Sequence, residues 1–210
     1  MAQIIFVRHG ESSANVDKVL AGRTPGVHLS SRGVEQVTAL REAISAIAPQ
    51  RIVRSSVLRC RETAELLFPD RHRAIAIHRA FDEVDYGQWS GRRLADLGRL
   101  SAWAELVAHP GSVEFPGGES LAEAYARARR GVAELLDGAG ESERIVVVTH
   151  GDIVKFALLD ALGLGLGGLH RLTVATGTFS LVDYTRPDAP MVCAVSAAGP
   201  AQRARGTLGG

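Results

Sequence analysis

Two short apolar segments, each ending in a histidine and a glycine, constrain the fold of this chain most strongly. Residues 3–8 lead into His9-Gly10, and residues 144–149 lead into His150-Gly151. Continuous apolar runs of this length, rich in Ile, Val and Phe, are typical of strands buried on both faces of a parallel sheet. Ligands bind beyond the carboxyl ends of such strands. We therefore expect His9 and His150 at the same functional edge of one sheet.

Helical patterns alternate with these strands. Apolar residues recur every three or four positions in residues 31–47, and again from residue 121 to a close at Gly138. Further helices are expected at about 57–68 and at 152–162, and further strands at 51–55, 74–77, 179–184 and 191–195. The last two strands flank a proline-containing turn and are expected to form an antiparallel hairpin at a sheet edge.

This alternation predicts an α/β protein, a three-layer α/β/α sandwich around a mainly parallel sheet. We expect one domain over residues 1–196, with a partly irregular insertion at about 81–118 that contains a short helix near residues 100–108. A disordered tail is expected at residues 197–210.

The composition excludes several other classes of protein. Of 210 residues, 24 are Lys or Arg and 23 are Asp or Glu, so the formal net charge of +1 attracts no nucleic acid over long range. Cys60 and Cys193 lie far apart without a CxxC pattern and are expected to be free thiols. No signal peptide or membrane-spanning run is recognised, so we expect a cytoplasmic protein with no membrane partner. A homodimer is only the default expectation for a soluble enzyme.

The sequence around His9 has the chemistry of an anion site. In RHGESSAN, residues 8–15, a strand ends at a guanidinium suited to phosphate oxygens and close to backbone N–H groups. Arg59 lies in SSVLRCRETA at 55–64, Glu83 lies in FDEVDYGQWSG at 81–91, and PGGES at 116–120 precedes the long helix. From residue 4 to about 184, these segments in this order resemble the histidine phosphatase superfamily, also called the phosphoglycerate-mutase-like family.

The resemblance implies a metal-independent phosphomonoester hydrolase, of the histidine acid phosphatase type, that acts on a small phosphorylated metabolite without a cofactor. His9 would be the nucleophile that becomes phosphohistidine. Glu83 would protonate the leaving alcohol and then activate water, with Asp82 and Asp85 as near alternatives. The residues that would hold the phosphoryl group are Arg8, Asn15, Arg59, Gly151 and a protonated His150.

Two further residues lie where the resemblance places neighbours of the site. Ser12 and Arg23 are each expected either to support the site or to contact the substrate. The histidines of the chain show no HExxH or comparable ligand spacing, so no metal is expected. Residues 92–116 are where we expect the alcohol of the substrate to be selected.

Other functions stay open. A phosphoglycerate-mutase-like phosphomutase shares these residues, but such mutases commonly have an arginine after the acidic residue, where this chain has Val84. A serine hydrolase is suggested by GESSA at 10–14 and GESLA at 118–122, although both lack the closing glycine of GxSxG. A non-catalytic phosphate-ester-binding module is a further alternative.

A glycine-rich motif late in the chain resembles a dinucleotide-binding pattern. GLGLGG at 163–168 matches the GxGxxG pattern of dinucleotide-binding sites. That pattern must follow a strand, whereas a helix is predicted before residue 163. The glycines are therefore expected to end that helix.

Overall fold

A mainly parallel sheet organises the fold. The computed structural model describes residues 2–186 and 188–198, and within them six strands form one sheet. The strands are β1 (Ala2–Arg8), β2 (Arg51–Arg54), β3 (Ala76–Ile77), β4 (Glu143–Thr149), β5 (Phe179–Asp183) and β6 (Met191–Ala197). Their spatial order is β3-β2-β4-β1-β5-β6. The first four strands are parallel, β5 is antiparallel to β1, and β6 is antiparallel to β5. The predicted hairpin at the sheet edge is confirmed.

Helices cover both faces of this sheet. They are α1 (Ser13–Val16), α2 (Ser31–Ile47), α3 (Leu58–Leu67), α4 (Leu94–Leu97), α5 (Ser101–Ala108), α6 (Leu121–Asp137) and α7 (Gly151–Ala161). Buried residues of α2 and α3 pack against Ile5 and Val7 of β1 on one face. Buried residues of α6 and α7 pack against Ile4 and Phe6 on the other. Successive residues of β1 therefore point into opposite halves of the core, and the predicted three-layer α/β/α sandwich is confirmed.

Side-chain caps fix where several helices begin. Ser30 accepts a hydrogen bond from the Gly33 backbone at 3.0 Å, which starts α2 at the predicted residue. Ser12 caps α1 and Ser120 caps α6, each in a capping box with the residue three positions later. The two serines of the GESSA and GESLA motifs thus have structural roles at helix starts, and neither follows a strand as a nucleophile elbow requires.

Two expected boundaries differ from the structure. The third strand is shorter than predicted, because residues 69–74 form a 3₁₀ turn and only Ala76–Ile77 pair with β2. Ala197, placed in the expected tail, instead ends β6, and residues 199–210 of that tail lie outside the described residues.

The glycine-rich motif after α7 forms no dinucleotide-binding turn. The helix α7 ends at Ala161, Gly163 and Gly165 then adopt positive φ angles of 66° and 59°, and a 3₁₀ turn follows at Leu166–Arg171. A helix rather than a strand precedes these glycines, as predicted. Within residues 2–186 and 188–198, no helix is long and apolar enough to cross a membrane.

Candidate active site

Two histidines meet at the carboxyl edge of the sheet. Arg8 of β1 is paired with Thr149 of β4 in parallel register, so His9 and His150 leave the sheet side by side. The His9 amide donates to the Thr149 carbonyl at 3.0 Å, and the two imidazole rings lie 5.3 Å apart between centroids. The contact expected from the two strand ends is present.

The hydrogen bonds of His9 define which ring nitrogen is nucleophilic. His9 Nδ1 donates to the Gly10 carbonyl at 2.7 Å, so Nε2 carries the lone pair and accepts from Arg59 Nε at 3.0 Å. Burial, followed by the charges of Arg59 and Arg8, holds the pKa of His9 well below its usual value. The ring is therefore neutral near neutral pH, as an attacking nucleophile must be.

Arg59 is the buried centre of the site. It lies in the first turn of α3, its side chain is 2% exposed, and Nη2 donates to the Gly22 carbonyl at 3.0 Å. Nη2 also lies 2.9 Å from His150 Nδ1. Its Nη1 is buried without a hydrogen-bond partner among the described residues. A buried guanidinium with a free N–H has unused capacity for an anion.

Arg8 is a second arginine with an N–H group that is available to bind an anion. Its Nη1 donates to the Val174 carbonyl, and its Nε is buried with no partner in the described part of the chain. A Cβ at Gly151 would lie 3.2 Å from Arg8 Cζ and Nε, so the glycine lets this guanidinium lie against the start of α7. Gly151 thereby positions Arg8, in addition to lining the cavity described below.

His150 is held from two sides. Arg59 donates to Nδ1, which places the ring proton on Nε2, and Nε2 lies 2.9 Å from Ser55 Oγ. Ser55 in turn donates to Asp82 Oδ1 at 2.9 Å. Burial and the charge of Arg59 hold the pKa of His150 well below its usual value. The expected imidazolium is thus disfavoured by the protein alone, because the ring is fully buried beside cations.

Glu83 faces Arg59 and His150 across the site. Its Oε2 lies 3.6 Å from Arg59 Nη2 and 3.5 Å from His150 Nδ1, and Oε1 accepts from the Val84 amide at 3.1 Å. Burial, and then the charge of Asp152, raise the pKa of Glu83 to about 7, against the opposing effect of Arg59. A carboxyl with a pKa near neutral can both donate and accept a proton.

The two alternative acids are occupied elsewhere. Asp82 accepts from Ser55 Oγ, from the Ser56 amide at 2.6 Å and from Ser56 Oγ at 2.8 Å. Asp85 accepts from the Gly87 amide at 3.1 Å. Among the three acids only Glu83 lines the cavity.

Arg23 supports Glu83 from behind. Its Nε donates to the Glu83 carbonyl at 2.7 Å, and its Nη2 donates to Glu119 Oε1 at 2.7 Å. Arg127 of α6 donates to the same carboxylate oxygen at 2.7 Å. Arg23 is not among the residues lining the cavity, so of its two expected roles the structure places it in the supporting one. The PGGES motif in the sequence already indicated the segment that contains Glu119, whereas no local sequence pattern indicated Arg127.

Several of the side chains described above line one cavity of about 300 Å³. Arg8, His9, Arg59 and Glu83 contribute its polar end, which we call the phosphate end. Ser12 and Asn15 also line the cavity, with the Ser12 amide donating to Asn15 Oδ1 at 3.0 Å. Of residues 92–116, where selection of the alcohol was expected, only Leu94 lines it. Within residues 2–186 and 188–198 no three His, Cys, Asp or Glu side chains are grouped to hold a metal ion.

Comparison with known proteins establishes the family. The model of the histidine phosphatase superfamily (branch 1) matches residues 4–195. The chain belongs to this superfamily. Members of it that resemble the chain include the adenosylcobalamin/alpha-ribazole phosphatase of Escherichia coli K12, 25% identical over 186 residues, which are 86% of this chain and 89% of that protein. Another, named "Probable phosphoglycerate mutase GpmB" in Salmonella paratyphi C, is 26% identical over 186 residues, 88% of this chain and 86% of that one.

Solved structures of this superfamily share the fold. A mycobacterial glucosyl-3-phosphoglycerate phosphatase superposes with a TM-score of 0.83 at 24% identity, covering 93% of this chain and 99% of that one. YhfR of Bacillus stearothermophilus superposes with a TM-score of 0.86 at 21% identity, covering 95% and 98%. The relatives by sequence are named as phosphatases and as mutases, two activities that both transfer a phosphoryl group.

Proposed function

We propose that this histidine phosphatase is a metal-independent phosphomonoester hydrolase that works through a phosphohistidine at His9 Nε2. The observation that carries the proposal is the arrangement at the phosphate end. A neutral His9 Nε2 that carries a lone pair lies 3.0 Å from Arg59 Nε. In the described part of the chain, Arg59 Nη1 and Arg8 Nε are buried without a hydrogen-bond partner, and both arginines line the same cavity as a carboxyl with a pKa of about 7. Nucleophile, anion-binding donors and proton donor are then present together.

In the first step His9 Nε2 attacks phosphorus, and the bond between phosphorus and the alcohol oxygen breaks. Glu83 gives its proton to that oxygen, so the alcohol leaves neutral and Glu83 becomes a carboxylate. A phosphate monoester carries about −1.5 to −2 charges near neutral pH, which Arg8 and Arg59 together balance. Because Arg59 is fully buried and Arg8 is held by its bond to the Val174 carbonyl, they need little reorganisation as charge shifts in the transition state.

In the second step water attacks the phosphohistidine. The Glu83 carboxylate takes a proton from the water, the new P–O bond forms, and the bond to Nε2 breaks to restore neutral His9 and protonated Glu83. His150 lies beside His9, and the negative charge of the phosphoryl group favours its protonated form. Ser55 and Asp82 then stabilise that imidazolium, because Ser55 Oγ links the ring to a buried carboxylate.

Phosphoryl return to a second hydroxyl is the second candidate, since several relatives by sequence are named as probable phosphoglycerate mutases. Both functions share the first step and differ in whether water or an alcohol receives the phosphoryl group. The cytoplasmic location, the absence of nucleic-acid partners and the homodimer remain predictions from the sequence.

The experiment that tests the proposal is a rapid-quench reaction of purified protein with radiolabelled p-nitrophenyl phosphate in excess EDTA. We expect turnover to continue with chelator present, and an acid-labile, base-stable phosphoryl label on the protein. Inorganic phosphate should equal p-nitrophenol over many turnovers. Turnover that stops on chelation, or a label that survives acid, would contradict the proposed chemistry. Isomerisation of a phosphoglycerate without phosphate release would favour the mutase.

The pKa of Glu83 predicts the pH dependence. This pKa of about 7 lies above its usual value, so the carboxyl is protonated below pH 7 and loses its proton as the pH rises through 7. The first step needs the protonated form, and we expect kcat/KM to fall about tenfold per pH unit above about pH 7. His9 imposes no loss until well below its usual pKa, because its pKa is lowered.

Glu83→Gln tests this assignment. The variant should lose the basic limb and hydrolyse an alkyl phosphate about 10²- to 10⁴-fold more slowly. Its kcat/KM for p-nitrophenyl phosphate should fall far less, because kcat/KM reports the first step and this leaving group needs no proton, whereas kcat should fall as hydrolysis of the phosphohistidine slows. An unchanged basic limb in the variant would show that another group carries it.

A further inference from the structure

Besides the phosphate end, the cavity has further lining residues that are available to contact the alcohol part of a bound ester. Several of these residues are apolar and form one set: Val19, Leu20, Leu94, Leu172 and Val174. Thr173 also lines the cavity, together with three polar side chains, Tyr86, Asp152 and Lys155. We call these three the Lys155 group.

The members of the Lys155 group are bonded to one another. Lys155 Nζ donates to Asp152 Oδ1 at 3.2 Å, and the Tyr86 hydroxyl donates to Asp152 Oδ2 at 2.8 Å. Both oxygens of Asp152 are therefore engaged, and the ammonium charge of Lys155 is balanced within the group. Asp152 and Lys155 lie one turn apart on α7, which begins directly after His150.

The charges lining the cavity are enough for one phosphate and no more. Among the described residues that line it, the cationic side chains are Arg8, Arg59 and Lys155, and His9 is neutral. The first two balance the phosphate, and the third is already paired with Asp152. A second anionic group on the substrate would have to compete with Asp152 for Lys155 while lying near a carboxylate, which is unfavourable. An uncharged alcohol meets no such cost, and an apolar face on it can pack against the leucines and valines.

We propose that the Lys155 group makes this site selective for phosphomonoesters of uncharged alcohols with an apolar face, against esters whose alcohol carries a carboxylate or a second phosphate. The proposal rests on the proposed phosphatase function and names its substrate class. Lys155 keeps N–H groups that can donate to a hydroxyl or carbonyl of the bound alcohol, so the group orients a polar substituent without selecting a charged one.

The test compares two aryl phosphates of nearly equal shape and leaving-group acidity, 4-(hydroxymethyl)phenyl phosphate and 4-carboxyphenyl phosphate. We expect the wild-type protein to prefer the uncharged ester in kcat/KM by at least about tenfold. The quantity compared among variants is the ratio of the two kcat/KM values within each protein. Changes in folding, or in the chemistry at the phosphate end, affect both esters and cancel in that ratio.

Two variants should move the ratio in different ways. Asp152→Asn is isosteric and frees the Lys155 charge, so the preference for the uncharged ester should fall about tenfold or reverse. Lys155→Met leaves Asp152 without its ammonium partner, so the preference should hold or increase. A wild-type ratio near one, or an Asp152→Asn ratio equal to wild type, would overturn the proposal.

The outcome also distinguishes a wrong substrate class from a wrong proposed function. If the wild type releases phosphate from both esters at similar rates, the phosphatase function stands and only the substrate class is wrong. If the wild type releases no phosphate from either ester or from p-nitrophenyl phosphate, the proposed function is wrong, and the proposed substrate class is wrong with it.

Discussion

Replacing His9 by alanine is expected to lower phosphate release from p-nitrophenyl phosphate by more than about 10⁴-fold. The reason is covalent: with Nε2 gone, no phosphohistidine can form, and the single displacement by water that remains has no activated nucleophile. The measurement is steady-state turnover together with the rapid-quench label, which should be absent from the variant. Binding of inorganic phosphate should persist in His9→Ala, because Arg8 and Arg59 are unchanged.

His28→Ala is the matched control for this variant. His28 is 63% exposed, pairs with Glu62 at 2.6 Å and does not line the cavity. Its loss should leave turnover within about twofold of wild type, as expected for a surface substitution away from the site. A His9→Ala protein that still accumulates an acid-labile label would assign the nucleophile to another residue.

Replacing Arg59 by methionine is expected to lower kcat/KM by about 10³- to 10⁵-fold, the range found when an arginine that stabilises phosphoryl transfer is removed. Methionine fills part of the buried volume but cannot donate to His9 Nε2, to the Gly22 carbonyl or to His150 Nδ1. Because Arg59 is a main cause of the lowered pKa of both histidines, those pKa values should rise in the variant. Proton NMR of the imidazole resonances against pH measures that rise.

Arg61→Met is the control on the same helix. Arg61 is 52% exposed and pairs only loosely with Glu65, at 3.7 Å. Its replacement should change kcat/KM by less than about twofold. Thermal unfolding of both variants shows whether the Arg59→Met protein is folded when it is assayed. A folded Arg59→Met protein with kcat/KM within tenfold of wild type would remove Arg59 from the proposed phosphate end.

The strands, the helices and the edge at which the site forms could be predicted from local sequence. The periodic apolar residues of α2 and α6 indicate helices because a buried helical face repeats every three or four residues. The two apolar runs that end at His9 and His150 indicate buried parallel strands, and parallel strands bring their carboxyl ends to one edge. Short elements were predicted less accurately, because β3 has two residues, which are too few to produce a pattern of apolar residues.

Residue identity and the family resemblance named residues that the fold brings together at the phosphate end, but they could not describe the charge states of those residues. The expected protonated His150 is disfavoured in the folded protein because burial and Arg59 act on it together, and neither is visible in a local motif. Arg23 could equally have contacted substrate or supported the site. Its place behind Glu83 depends on Glu119, which the fold brings to it from far along the chain.

The sequence by itself therefore determined the α/β/α architecture, the strand ends that carry His9 and His150, and the superfamily to which the chain belongs. The tertiary structure alone decided which ring nitrogen of His9 carries the lone pair, why Glu83 has a pKa of about 7, and that Tyr86 and Lys155 share the Asp152 carboxylate. The physical reason is the separation along the chain of the residues that determine each property. Helix and strand patterns are set by neighbours in the chain, whereas desolvation and charge pairing depend on distances that exist only once distant segments have packed.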